Sequence, residues 1–377
     1  MQTRIALLQQ SGLERPYSQS KPLKIVQAEL GEPGPGEMRV RMAAAGLCHS
    51  DLSTINGDRP REMPIALGHE ASAVVEAVGP HVTAFEPGDH IVLVFAGSCG
   101  QCTPCAEGRP SLCEPAFVAA GGGTLIGGDR RISVDGHAVN HHLGVSAFSE
   151  RAIVAEASCV KIDKSVPLER AALLGCAVLT GVGAVLNSGE LRVGQRAAVI
   201  GLGGVGLAGL LGAIAGGARQ VIAVDLAQDK LDFARELGAT HTINPTDDTA
   251  VEQVLEITDG GVDLAVELAG SVPALEFGWN ITRRGGTCVT AGLPHPSKAL
   301  SVPAAALSVS EKTLRGSYVG SCVPKRDIPR FADLMMQGRL PIEKLMTHTL
   351  SLDEINEGFE RLAEGAAIRQ VITFDQD

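Results

Sequence analysis

No run of the 377 residues approaches the roughly 18 unbroken apolar positions that a membrane-spanning helix needs. The opening segment MQTRIALLQQ lacks the basic-then-apolar layout of a secretory leader, so a cytoplasmic protein is expected. Also missing is any cluster of Lys and Arg. With 32 basic against 43 acidic residues the formal charge is −11, which would repel a polyanion, so no nucleic acid and no anionic membrane partner is expected. A small molecule fits better. There is no internal repeat and no low-complexity tract, and hydrophobic positions at 45 % exclude intrinsic disorder. What the chain does have is glycine, 45 residues, and nine cysteines. An odd, clustered set of thiols points to metal thiolates or reactive groups rather than to a disulfide framework.

The length predicts two or three domains, each with apolar content enough for its own core. Over the first 175 or so residues, short β-type runs (EMRVRMAAAG, ASAVVEAVG, DHIVLVFAG, FSERAIVAE) alternate with turn clusters such as EPGPGE and EPGD, which predicts a mainly antiparallel β domain. From Pro167 the pattern changes. VPLERAALLGCAVLTGVGAVLN is apolar at near-helical spacing and leads into RAAVIG, a glycine-rich turn, LAGLLGAIAGGA, QVIAVD and DKLDFARELGA. That strand–helix alternation is the βαβ signature of a doubly wound parallel sheet. After about residue 320 two amphipathic helices and the strand RQVITF close the chain and are expected to rejoin the first domain.

Gly201, Gly203 and Gly206 form G-x-G-x-x-G between a strand and an apolar helix. The first glycine permits the tight turn, the second lets a pyrophosphate approach the backbone, and the third lets helix and strand pack closely. Asp225 ends the next strand, where its carboxylate can accept from both adenosine ribose hydroxyls and repel a 2′-phosphate, so NAD is favoured over NADP. A structural βα turn and an S-adenosylmethionine-binding methyltransferase are the competing readings of this motif alone.

Cys99, Cys102, Cys105 and Cys113 make C-x2-C-x2-C-x7-C. Four thiolates so spaced suit a closed tetrahedral zinc of structural type, with two local disulfides or an iron–sulfur cluster as alternatives. Cys48 in GLCHSD, His69 with Glu70 in ALGHE, and Cys176 in LLGCAVLTG are scattered, and spacing alone leaves them open between a shared metal and ordinary buried or turn residues.

Taken in order, GLCHSD, LGHE, the four-cysteine lobe, GCAVLTG, VIGLGGVGL, VDLAQDKLDFARELGAT, INEGFERL and IRQVITF resemble the zinc-dependent medium-chain alcohol dehydrogenases across essentially the whole chain. The resemblance implies an α/β protein: a GroES-like catalytic domain from residues 1–177 and 321–377, a Rossmann NAD-binding domain from 178–320, and an active site between them. It makes Cys48, His69 and Cys176 the catalytic zinc ligands and the four-cysteine lobe a second, structural zinc site. Asp51 corresponds to the carboxylate that holds the ligand histidine, Glu70 to a carboxylate behind the metal, and Ser50 to the hydroxyl that takes the alcohol's proton. Ser53 stands where many relatives end that relay with a histidine. His49 and Arg369 match pyrophosphate contacts, Lys230 a ribose contact, and Thr180 and Val205 residues packed near the nicotinamide. Phe95 is expected in the substrate channel. His348, His141 and His142 receive no role.

The segment after Cys113 matches the extended loop of the longer relatives. In glutathione-dependent formaldehyde dehydrogenases an arginine four residues past the last lobe cysteine binds the glutathione carboxylate, and here that position is Phe117. The leading expectation is therefore a primary alcohol or aldehyde, aromatic or of medium chain length, with S-(hydroxymethyl)glutathione second and Arg109, Arg130 or Arg131 as replacement cations. A non-enzymatic nucleotide-binding protein on the same fold would predict a damaged ligand set. Relatives pair through their nucleotide domains, so a homodimer or homotetramer is expected. Cys159, Cys288 and Cys322 remain without a metal role.

Overall fold

Alternating burial turns the first half of the chain into strands: β1 (Gln2–Leu8), β2 (Leu23–Leu30), β3 (Glu37–Gly46), β4 (Ile65–Ala66), β5 (Glu70–Val78), β6 (His90–Val94), β7 (Ile132–Val134), β8 (His137–His141), β9 (Arg151–Ala155) and β10 (Cys159–Lys161). The computed structural model describes residues 1–295 and 297–375. β1, β2, β7, β8 and β4 close into a barrel around Ile5, Leu7, Leu30 and Val139. All its pairings are antiparallel except that of β4 with β8. The extended segment after Cys113 is therefore far from structureless. It holds a helix, Glu114–Gly121, and supplies two staves of the barrel.

One compact unit comprises Met1–Cys176, Val323–Met336 and the described residues from Glu343 on; a second comprises Ala177–Cys322 with Gln337–Ile342. In the second unit β11 (Arg196–Ile200), β12 (Gln220–Val224), β13 (His241–Ile243), β14 (Val262–Glu267), β15 (Thr282–Thr290) and β16 (Thr313–Gly316) form a sheet in the order β13-β12-β11-β14-β15-β16. Every pairing is parallel. β11 and β12 are continuous apolar runs buried from their second residue on, as strands covered on both faces must be. Ile200, Ile222, Val224, Val254, Leu275 and Trp279 share its core. Helix Ala177–Gly183 approaches helix Gly204–Ala215 so closely that a Cβ on Gly181 would overlap the carbonyl oxygen of Val205.

The tail returns to the first unit as helix Pro324–Met336, β17 (Met346–Leu350), helix Ile355–Ala363 and β18 (Arg369–Thr373). β18 pairs antiparallel with β3, completing a seven-stranded sheet in the order β10-β6-β5-β3-β18-β17 with β9 also on β3. Phe148 and Phe359 meet edge to face in its core at 5.8 Å, a geometry that favours aromatic pairs beyond their burial. Among the described residues no single helix is long and apolar enough to cross a membrane.

The apolar run from Pro167 is not one helix. Cys176 has φ −140° and ψ −72°, outside the helical region, between the short helical turns of Leu168–Gly175 and helix Ala177–Gly183. Just before the interruption Gly175 approaches β6 so closely that a Cβ there would overlap the Leu93 carbonyl.

Candidate active site

Three elements of the first unit deliver three donors. β3 ends at Gly46, and Cys48 takes an extended conformation (φ −130°, ψ 151°) as it opens helix His49–Ile55. His69 stands between β4 and β5, in a segment clamped by Phe148 and Ala147 N–H groups donating to the Leu67 and Gly68 carbonyls at 3.0 and 2.9 Å. Cys176 comes from the interrupted helical run. Their donor atoms lie within 4.8 Å of one another and all three residues are buried; Cys176 Sγ is 3.5 Å from His69 Nε2. Two thiols and one imidazole from three residues form the donor set of an open zinc site, with a fourth position left over. A hydrogen bond shared with Cys176, aided by His69, holds Cys48 well below the usual thiol range, and the same bond with burial pushes Cys176 well above it.

Asp51 lies one turn along the helix from Cys48 and is wholly buried. Its Oδ1 lies 3.1 Å from His69 Nδ1 and accepts the Gly68 N–H at 3.1 Å. Burial would raise this carboxyl, but the charge of His69 and hydrogen bonds from His142 and His69 hold it far below the usual carboxylate range. Burial would likewise lower His69, yet the Asp51 and Cys48 charges raise it to about 10. Glu70 is buried in an ion pair with the equally buried Arg369. Gly46 makes room for that pair: a Cβ there would lie 2.8 Å from Glu70 Oε2 and 3.0 Å from Arg369 Nη2. Ser50 and Ser53 are partly buried on the same helix, whose first residue, His49, is exposed.

The four lobe sulfurs also lie within 4.8 Å of one another. Zn–S bonds of about 2.3 Å in a tetrahedron place sulfurs about 3.8 Å apart, so one ion fits and a multi-iron cluster would need a wider cage. All nine cysteines are free thiols, so the disulfide alternative is not realised. Backbone donors prepare the lobe: the N–H groups of Gln101 and Cys102 point at Cys99 Sγ (3.4 and 3.3 Å) and bring its thiol down to about 6. The Cys99 N–H donates to Cys113 Sγ at 3.3 Å, although burial keeps Cys113 up at about 12. By contrast Cys159, Cys288 and Cys322 are core residues, and burial raises the thiols of the first two, which leaves them unreactive.

In the second unit the three glycines differ. Gly201 has φ +88° and no room for a Cβ beside Ala269 N (2.6 Å); a Cβ on Gly206 would overlap the Gly201 carbonyl; Gly203 has nothing within 4 Å. Tight turn, close packing and open approach are thus divided among them in the expected order. Asp225 is oriented by the Leu202 N–H at 2.6 Å and the Ala227 N–H at 3.0 Å. Thr180, Val205 and Lys230 are partly buried.

Phe95 meets the His69 ring edge to face at 5.3 Å. Phe117, on helix Glu114–Gly121, is 74 % exposed. Arg130 is engaged by Asn140 and the Gly122 carbonyl, Arg131 by Glu37 and Asp129, and Arg109 is exposed. His348 lies on β17 with an Nδ1 contact to Thr347. Sequence reasoning missed His142. It is buried beside Asp51 because β8 pairs with β4, a long-range contact that no local spacing announces. The doublet His141–His142 was its one visible sign.

Residues 34–164 match the family described as alcohol dehydrogenase GroES-like domain, and residues 204–337 that described as zinc-binding dehydrogenase. The chain is 39 % identical over 360 residues to a Mycobacterium tuberculosis protein named "Putative alcohol dehydrogenase D", covering 94 % of this chain and 97 % of that one. Among solved structures it superposes on an alcohol dehydrogenase zinc-binding domain protein from Burkholderia ambifaria with TM-score 0.94 and 34 % identity, over 100 % of both chains. Benzyl alcohol dehydrogenase from Acinetobacter calcoaceticus gives TM-score 0.92 and 32 % identity, again over 100 % of both.

Proposed function

Because this chain belongs to the zinc-dependent medium-chain alcohol dehydrogenases, a family of oxidoreductases, we propose that it interconverts a primary alcohol and its aldehyde with NAD, using two zinc ions per chain. The observation that carries this is the buried convergence of Cys48, His69 and Cys176. Zinc held there would polarise the alcohol oxygen, and NAD bound at the glycine turn would accept the hydride. The chain's own residues do the rest. Asp51 keeps the proton of His69 on Nδ1 and leaves Nε2 for the metal. Ser50 Oγ takes the alcohol's proton, and Ser53 is no replacement for a terminal histidine base, so the relay ends on ribose or water. Glu70 balances Arg369 behind the centre. Arg369 Nε, buried with no hydrogen-bond acceptor among the described residues, is a donor suited to a pyrophosphate oxygen, and His49 would hold the same group. Asp225 and Lys230 would take the adenosine ribose at the turn of Gly201, Gly203 and Gly206, and Thr180 and Val205 would pack on the nicotinamide. The lobe of Cys99, Cys102, Cys105 and Cys113 holds the structural zinc.

The ring of Phe95 beside His69 favours an apolar, aromatic or medium-chain alcohol, as does the likeness to a benzyl alcohol dehydrogenase. We place Phe117 at the outer end of the substrate path. Arg130 and Arg131 are tied into the barrel, which disfavours a glutathione adduct. β16, exposed throughout at the edge of its sheet, supports pairing of nucleotide units into a homodimer or tetramer. A cytoplasmic enzyme is the reading consistent with these cofactors and free thiols. The test is initial rates with NAD and NADP on benzyl alcohol, medium-chain alcohols and S-(hydroxymethyl)glutathione, together with metal analysis. Two zinc ions, NAD preference and turnover of the apolar alcohols are expected. Equal use of NADP overturns the role of Asp225, and a strong preference for the glutathione adduct overturns the substrate.

A further inference from the structure

Asp51 lies between two buried histidines. Its Oδ1 lies 3.1 Å from His69 Nδ1 and 3.0 Å from His142 Nδ1. The two rings stand edge to face with centroids 5.6 Å apart. We propose that His142 is a positioning residue for the catalytic metal: its Nδ1–H holds the Asp51 carboxylate at the same oxygen, Oδ1, that faces His69, and Asp51 thereby fixes the ring angle and tautomer of His69. The proposal rests on Cys48, His69 and Cys176 being the zinc ligands.

The chemistry of the contact assigns the proton. An imidazole lone pair 3.0 Å from a carboxylate oxygen would be repelled, so His142 Nδ1 must carry hydrogen. The 3.0 Å approach to Asp51 falls short of full hydrogen-bond alignment, and that buried nitrogen has no other acceptor among the described residues. Leaving a buried donor without an acceptor costs about 1–3 kcal/mol, so Asp51 and His142 constrain one another. A second metal in this trio would instead require His69 to ligate through both nitrogens as an imidazolate, which the hydrogen-bonded arrangement avoids.

His142 is itself rigidly held. Its N–H donates to the Ala66 carbonyl at 3.1 Å and its carbonyl accepts from Val145 N at 3.1 Å. Immediately before it, Asn140 and His141 pair with Ile65 and Ala66 of β4, three to four residues ahead of His69. Asn140 is further bound to Arg130 and to the Glu62 and Pro64 carbonyls. His141 accepts the Arg131 N–H through Nε2 and meets Ser146 through Nδ1. The adjacent histidines divide the work: His141 secures the segment that follows the four-cysteine lobe, and His142 passes that segment's seating to the metal centre.

The test is competition of the full-length, zinc-loaded protein with a chelator, following each ion separately, in His142→Leu and His142→Asn. Leucine keeps volume without the donor; asparagine is smaller but places an N–H near the position of Nδ1. Release of the catalytic zinc is expected to be about tenfold faster in His142→Leu, within the range for partners behind metal ligands. His142→Asn should restore most of the difference, and the lobe zinc should be unchanged in both as an internal control. Leucine matching wild type, or asparagine releasing zinc as fast as leucine with an equal loss of thermal stability, overturns the role of His142 by showing either no contribution or a packing role. A wild-type chain with no exchangeable zinc beside the lobe ion overturns the underlying site reading as well, and is told apart because it needs no variant to see it.

Discussion

The two cysteine groups are built in opposite ways around the same atom. In the lobe, four sulfurs come from fifteen consecutive residues, three of the cysteines are partly exposed, and the short helix Thr103–Ala106 within it buries nothing. Its thiols are prepared by backbone N–H groups. At the buried centre the donors come from positions 48, 69 and 176, and preparation falls to side chains: the Asp51 charge on His69, and the Cys176 contact with the His69 charge on Cys48. On the proposed reading, a local loop with no core would gain order only from its ion, as small metal domains do. A centre built on β3, β5 and β6 is ordered already, and its ion would be there to react.

The sharpest way to break that contrast is to remove one thiol from each. Cys176→Ser is expected to lose one zinc per chain and to lower turnover by at least about 10³-fold while thermal stability changes little, since removing the group that activates substrate takes away several kcal/mol of barrier reduction. Cys102→Ser should also lose one zinc, but its main effect should be a lower melting temperature and faster proteolysis between residues 97 and 113. Metal analysis, calorimetry and initial rates distinguish them. If either substitution strips both ions, the groups are not independent and the contrast fails.

The contrast also explains what was legible beforehand. The lobe could be read from spacing because its geometry is local, and the doubly wound sheet could be read because β11, β12 and the glycine turn carry their own signature. The buried centre could be read only through the likeness of whole segments to a family, since nothing in the spacing of Cys48, His69 and Cys176 dictates their meeting. Two features escaped both routes. The run from Pro167 is apolar at near-helical spacing, yet the chain leaves the helical region at Cys176, next to the close approach of Gly175 to β6. His142 is placed by the pairing of a two-residue strand, β4, with β8, too short to leave a pattern.

A second prediction concerns charge at the buried centre. Asp51→Asn is expected to weaken catalytic zinc binding by about 10–100-fold and leave the lobe untouched. The wild-type metal-free centre should show the same dependence through pH. His69 is raised from 6.5 to about 10, so its contribution to stability is fully present below pH 6.5 and is lost as pH rises through about 10; Asp51, depressed, contributes above its ordinary value near 3.9 and is lost only in strong acid. Zinc must displace the His69 proton, so binding should tighten from pH 6 towards 10 with release of protons. Chelator competition and proton-release measurements check this. Asp51→Asn should flatten the dependence; an unchanged slope would remove Asp51 as its source.

The smallest effects expected come from two glycines, one per region, and they test whether the regions use glycine for different reasons. Gly46 has an ordinary backbone but no space, because a Cβ would press on the Glu70–Arg369 pair at 2.8 and 3.0 Å. Gly100, in the lobe, has space on every side but φ +74°. Gly46→Ala should therefore cost about 1–3 kcal/mol, typical of overpacking, and should reduce turnover by displacing a buried ion pair next to the metal ligands. Gly100→Ala should cost about 1 kcal/mol or somewhat more, the left-handed backbone penalty, with kinetic constants unchanged. Denaturant unfolding and steady-state rates separate the two, and a kinetic effect from Gly100→Ala equal to that of Gly46→Ala would mean that the lobe's shape reaches the reacting centre after all.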